Sequence, residues 1–114
     1  MKTNNKRSLT SRLAHKIIFL ENVTESKIED PVWQEKCQSF AEILPLSECN
    51  YMNLEGFNFG NFITEEYYLF RIRYLEGLNK NMRISYHTKL YSLKRIVNVQ
   101  ERNRMLNIIA HEIV

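Results

Sequence analysis

Six side chains in the second half of the sequence are equipped for chemistry on a phosphodiester: Arg71, Arg73, Tyr74, Arg83, Tyr86 and His87. Guanidinium groups neutralise phosphate oxygens, and a tyrosine or histidine can pass a proton, so such a set could cleave RNA without a metal. The same arginines read more simply as a solvated outer sheet face bearing ion pairs, and that reading is preferred. Nothing else completes an active site. No nucleophile stands beside a recognisable base, and Gly56, Gly60 and Gly77 are too scattered for a phosphate loop. The pairs Glu29-Asp30 and Glu65-Glu66 point to opposite faces of any extended segment, so neither can place an acid and a base at one centre. His15, His87 and His111 are isolated, and Cys37 and Cys49 lack the spacing of a metal or redox site. No metal and no cofactor is expected, and the two cysteines are expected to be reduced thiols.

The arginines sit in a stretch, residues 67–99, that organises the chain. Tyr68, Phe70, Ile72 and Tyr74 share one face of a period-two run, and Leu69, Arg71 and Arg73 share the other. Met82, Ile84 and Tyr86 repeat the alternation, and Tyr91 and Leu93 begin it again. Alternation rich in aromatic and β-branched residues predicts half-buried strands. Residues 76–81 form a loop of hairpin length, and His87-Thr88 leaves room only for a two-residue turn. Three adjacent antiparallel strands are therefore predicted.

Residues 1–11 are polar and basic and predict a flexible tail ahead of one domain, 12–114. A first strand spans 12–23, with His15, Ile17 and Phe19 on one face. Residues 24–30 are charged and aperiodic, an exposed loop. Trp33, the only tryptophan, lies in a short extended piece that could pair with the first strand, as core or as an interface anchor. Residues 40–46 form another strand, with Phe40, Glu42 and Leu44 opposite Ala41 and Ile43, and Pro45 ending it or placing it at an edge. Residues 47–56 suit a short helix capped by Ser47 and stopped by Gly56. Residues 57–64, with three phenylalanines among Asn and Gly, are either the run-in to the Tyr67 strand or a mobile loop presenting aromatics. After a charged turn at 100–104, Leu106, Ile108 and Ala110 alternate with Asn107, Ile109 and His111 in a last strand, with a helix over 101–113 as the alternative. The fold predicted is mainly β, a small antiparallel barrel or sandwich of about six strands, with one short helix and a long flexible loop.

At 114 residues the chain can bury roughly two-thirds of its unfolded surface, enough for one core. Its apolar runs are too short for a signal peptide or a membrane span, so a soluble intracellular product is expected. Charge is unevenly spread. Residues 1–20 hold five basic groups and no acid, 21–66 hold ten acids against two lysines, and 67–114 hold nine basic groups against three acids. A nucleic-acid-binding β domain would show a more uniform basic excess. Blocks of opposite sign suit self-association between copies, or neutralise one another within a subunit.

Read in order, these segments resemble the head–tail joining proteins of long-tailed phages, the adaptor or stopper class. The resemblance runs through Arg12-Leu13-Ala14-His15-Lys16-Ile17, Trp33, Phe40-Ala41-Glu42-Ile43-Leu44-Pro45-Leu46, Arg71-Ile72-Arg73-Tyr74 and Met82-Arg83-Ile84-Ser85-Tyr86. It continues through Lys89-Leu90-Tyr91-Ser92-Leu93 and Glu101-Arg102-Asn103-Arg104-Met105-Leu106 to Glu112. Two positions depart: His87-Thr88 stands where a Gly-containing turn is common, and Phe40 where a Trp is common. The resemblance implies a structural virion role without catalysis, as a ring of copies beneath the portal that retains packaged DNA and docks the tail. The implied partners are portal or adaptor and tail proteins, and channel DNA held non-specifically, with no membrane and no small-molecule substrate. The implied location is the host cytoplasm during assembly and then the virion. Tyr51, Met52, Leu54, Phe57, Phe59 and Phe62, with Trp33, Arg71 and Arg73, are the residues expected at the ring interface or channel. Small metal-free toxin ribonucleases, whose strands can also read RIRY, are the alternative.

Overall fold

A computed structural model describes residues 12–24, 30–46 and 67–113. In them β1 (His15–Asn22), β2 (Trp33–Pro45), β3 (Tyr67–Arg73), β4 (Arg83–Tyr86), β5 (Lys89–Asn98) and β6 (Met105–Ile113) form a closed antiparallel barrel in the order β1-β2-β3-β6-β5-β4. The mainly β barrel is the architecture expected, and β6 is a strand rather than the alternative helix. The tail at 1–11, most of the loop at 24–30, the helix at 47–56, Cys49 and the segment 57–64 lie outside the described residues.

The period-two pattern selects the faces as predicted. Ile17, Phe19, Ala41, Phe70, Ile72, Ile84, Leu93, Leu106, Ile108 and Ala110 point into one interior cluster with Met82 and Tyr91. Each fully buried large apolar side chain stabilises the barrel by about 1.5–3 kcal/mol relative to exposure. Phe70 and Tyr68 meet Tyr91 edge to face, at centroid separations of 5.0 and 5.5 Å.

Three expectations need correction. The first concerns pairing. β3 is not beside β4; it pairs with β2 and β6, while β4 pairs with β5 and β1. The reason lies in β6, where five consecutive residues, Leu106 to Ala110, are buried. β6 inserts between β3 and β5, where Ile109 on its outer face packs with Leu69 and Leu46. The four residues of β4 are also too few to cover the seven of β3. The second concerns β2: Trp33 and residues 40–46 belong to one strand of 13 residues. The polar Lys36–Ser39 stretch masked the continuity, and a bulge opposite Phe19/Leu20 absorbs the irregularity. The third concerns His15, which is exposed rather than on the buried face with Ile17 and Phe19.

Two turns carry left-handed backbone. The β4–β5 turn has the predicted two residues, Tyr86 pairing with Lys89, and His87 has φ +53°. The β5–β6 turn holds Gln100, Glu101 and Asn103 at φ +55°, +53° and +56°. Asn98 and Asn103 fasten it: Nδ2 of Asn98 donates to Asn103 Oδ1 at 2.7 Å, and the Asn103 N–H donates to Asn98 Oδ1 at 3.1 Å. A non-glycine residue in the left-handed region costs about 1–2 kcal/mol, partly offset by its smaller entropy loss than glycine's on folding. Glu101→Gly is therefore expected to raise stability by about 0.5–1 kcal/mol, read as a higher urea midpoint with an unchanged slope.

Candidate partner-facing surfaces

The outer face of β2, β3, β6 and β5 is not the solvated arginine face that alternation suggested. One row across it runs Glu42, Arg71, Asn107, Val97. Arg71 Nη1 lies 3.7 Å from Glu42 Oε1, while Arg71 Nε and Asn107 Oδ1 are buried without hydrogen-bond partners. The next row holds Leu44, Leu69 and Ile109, and Leu69 and Ile109 join Leu46 in a second buried cluster against which Leu44 and Tyr67 pack. Leu69, placed by alternation among the arginines, is fully buried here. The barrel thus carries apolar packing on its outside as well as its inside at this one face.

Arg73 is exposed at the end of β3 and lines a cavity of about 260 Å³ with Leu13, Ser39 and Phe40. Phe40 is itself 56% exposed, one of three large apolar residues in that state with Val23 and Val32 among the described residues. Trp33 stands apart from both arginines, at the start of β2, half-buried. The Arg83 guanidinium carbon lies 4.2 Å from its ring centroid, a cation–π contact between β4 and β2 across β1. Such contacts are worth about 0.5–1 kcal/mol at exposed sites. Arg83→Gln is expected to lower stability by about that amount and to shift the emission of the sole tryptophan to the red.

The six side chains equipped for RNA cleavage are not brought together. β3, with Arg71 and Arg73, is separated from β4, with Arg83 and Tyr86, by β6 and β5 on one side and by β2 and β1 on the other. Tyr86 instead hydrogen-bonds His15, Oη to Nδ1 at 2.7 Å, and His87 lies against the Tyr86 ring with centroids 4.1 Å apart. This trio closes the end of the barrel where β1 begins and β4 ends. Cys37 is a free thiol packed against the core; burial pushes its pKa up, against the opposing pull of Lys36. A thiol held protonated is a poor nucleophile.

Tyr51, Met52, Leu54, Phe57, Phe59 and Phe62 fall outside the described residues. The outer cluster and the Arg83–Trp33 contact were not foreseen. The first had a signal, the unbroken apolar pairs Leu69-Phe70 and Ile108-Ile109. The second had none, since 50 residues separate its partners.

The barrel superposes on the solution structure of protein SF1141 from Shigella flexneri 2a with a TM-score of 0.64 and 18% identity, covering 92% of this chain and 96% of that one. A chain of the virion of a native gene transfer agent particle aligns with a TM-score of 0.57 and 15% identity, covering 87% and 94%. At these identities the likeness shows a shared fold. No curated protein matches by sequence. The sequence of residues 9–113 matches the family model of the phage head completion protein. That span takes in all six strands and both left-handed turns, and the chain belongs to the phage head completion protein family, a family of structural phage proteins.

Proposed function

We propose that the protein joins phage head to tail, as a ring of identical copies below the portal that retains packaged DNA and offers the tail a docking surface. Membership of the head completion family over residues 9–113 is the observation that carries this reading. A closed barrel supports it, because a closed barrel leaves little free sheet edge and can act as a rigid block. Its partners are copies of itself, portal or adaptor and tail proteins, and the DNA of the channel, touched without sequence preference. It works without catalysis or cofactor, assembling in the host cytoplasm and remaining in the virion. Trp33 and Arg73, at separate places on the barrel, and Arg71, on the outer face, belong to the contacts between subunits. Tyr51, Met52, Leu54, Phe57, Phe59 and Phe62 supply apolar contacts to the channel or a neighbour. A stable contact would cover on the order of 800 Å² per partner.

The test is a phage or prophage lacking the protein. DNA-filled heads without tails, losing their DNA on standing, are the expected product, and added protein should restore tailed particles. Tailed, DNA-retaining particles made in its absence would refute the reading. Cleavage of total RNA by the purified protein, abolished by Arg73→Ala, would replace it with a ribonuclease.

A further inference from the structure

One cleft on the barrel presents hydrogen-bond donors. It measures about 520 Å³ and is lined by Asn79, Lys80, Lys94, Arg95 and Ile96. A bulge builds one wall. The β5–β6 register slips between Leu93 and Arg95, so Lys94 is the extra residue and both cations are exposed, where regular alternation would turn one of them inward. The β3–β4 loop builds the other wall. In it the Asn79 carbonyl accepts from the Met82 N–H at 3.2 Å, and Asn79 Oδ1 accepts from the Asn81 N–H at 2.9 Å. That turn is thereby fixed, and what the Asn79 side chain still has to offer is its Nδ2 amide. β4 pairs with β5 only as far as Arg83–Ser92, so this loop, rather than a strand, flanks the part of β5 that carries the cations.

The positive charge here is uncompensated. Lys80 and Lys94 are exposed and have no acidic partner among the described residues, unlike Lys36 with Glu21 and Lys89 with Glu112, each at 3.7 Å. No acid lines the cleft, and the one side-chain oxygen in it, Asn79 Oδ1, already carries a bond. Further along, the β5–β6 turn adds Arg102 and Arg104 against Glu101. A cleft of donors suits a ligand that only accepts, an anion.

We infer that this cleft holds the sugar–phosphate backbone of duplex DNA, with Lys80, Lys94 and Arg95 each neutralising a phosphate and Asn79 Nδ2 donating to a phosphate oxygen. The inference rests on the head–tail role proposed above and names the surface that touches the packaged DNA. Lysine, arginine and asparagine are the side chains that make phosphate contacts. A protein partner fits less well, because lysine is depleted in protein–protein interfaces and an apolar or aromatic centre is the rule there. Ile96, the only apolar residue in the lining, is half-buried and packs against the core. A small-molecule pocket would be mostly apolar. Exposed lysines hold a single free anion weakly, whereas a polymer adds such contacts along its length and gains from release of its counterions. The direction of the backbone follows from the neighbours. Through the row Leu20–Arg83–Ser92 the cleft side of the barrel adjoins the ends of β1 and β2, which carry Glu21, Asp30 and Glu35. The backbone therefore tracks along β5 toward Arg102 and Arg104, away from those acids.

The test follows a fluorescent duplex titrated with the full chain between about 20 and 100 mM salt, where non-specific binding is strong enough to measure. Three neutralised phosphates contribute a slope of about −2.7 to log affinity against log salt. Lys80→Gln with Lys94→Gln should flatten the slope by about 1.8 and weaken binding about tenfold or more at the lowest salt. Lys36→Gln with Lys89→Gln removes the same charge from lysines that are already paired, and should move the slope by less than about 0.5. Contacts made elsewhere add equally to all three proteins. Amide shifts on adding duplex should centre on residues 79–80 and 94–96. An unchanged slope in the cleft variant, an equal change in the control, or shifts centred elsewhere would overturn the assignment. So would polyglutamate of equal charge binding as tightly as the duplex, which would make this a site for acidic protein segments. An unchanged slope in a protein that completes heads faults the cleft and leaves the head–tail role standing. A wild type that completes no heads removes the role, while the slopes still judge the cleft.

Discussion

Phe70→Ala is expected to destabilise the barrel by about 3–5 kcal/mol. Phe70 is fully buried at the middle of β3, with Ile43 beside it on β2, Ile108 on β6 and the Tyr91 ring edge to face at 5.0 Å. The loss has two parts, the transfer free energy of the ring and the cavity left behind. A barrel closes a cavity poorly, because its strands are hydrogen-bonded on both edges and cannot move inward one at a time. Small domains have only about 5–15 kcal/mol in total, so the loss is between about a fifth and all of the stability. Urea unfolding measures this directly. A fall below about 1.5 kcal/mol would mean that the interior relaxes around the gap. Phe40→Ala is the matched control: the same deletion at a 56% exposed position should cost far less.

The second large effect is alkaline. Burial, aided by Glu112 and the neighbouring Tyr68 and Tyr86, pushes the Tyr91 phenol up to about 12 from the usual 10.0. A group whose folded pKa is raised adds stability that is complete below its unfolded pKa and is lost as pH climbs through the folded one. The contribution should therefore be intact below pH 10 and vanish between about 10 and 12, amounting to roughly 2–3 kcal/mol. Tyr91→Phe removes the titrating group and keeps the ring contacts with Phe70 and Tyr68. Its unfolding free energy should stay flatter than the wild type's over that interval. Equal alkaline slopes in the two proteins would show that some other group controls base denaturation.

Most strands could be read from residues alone, and their order around the barrel could not. β1, β3, β4 and β5 announce themselves by alternation because each has one face in the core, a local property. Pairing order is not local. β3 and β4 are joined by nine residues, 74–82, and look like a hairpin in sequence; β6 and β5, which come later in the chain, pair between them. β2 hid its first half because Gln34, Glu35, Lys36, Gln38 and Phe40 are exposed and only Cys37 packs against the core there. The arginines illustrate the limit for sites. Arg71 and Arg73 share a strand face, as their spacing requires, but whether water, Glu42 or a leucine cluster surrounds them depends on strands 26 residues away or more. The tight turn at His87-Thr88 was legible without glycine, since histidine is among the residues that tolerate positive φ. The Tyr86–His15 bond, spanning 71 positions, was not.

β6 comes last in sequence among the six strands yet joins two earlier ones, hydrogen-bonded to β3 on one side and β5 on the other. Until it emerges, β3 and β5 each keep a bare flank, and no two-layer fragment of the earlier strands can exclude water from Phe70 or Tyr91. Folding must therefore wait for β6, and should be slow for the size because its decisive pairings are distant in the chain. A chain cut before β6 should therefore have no half-formed barrel to fall back on and should be unfolded by amide exchange.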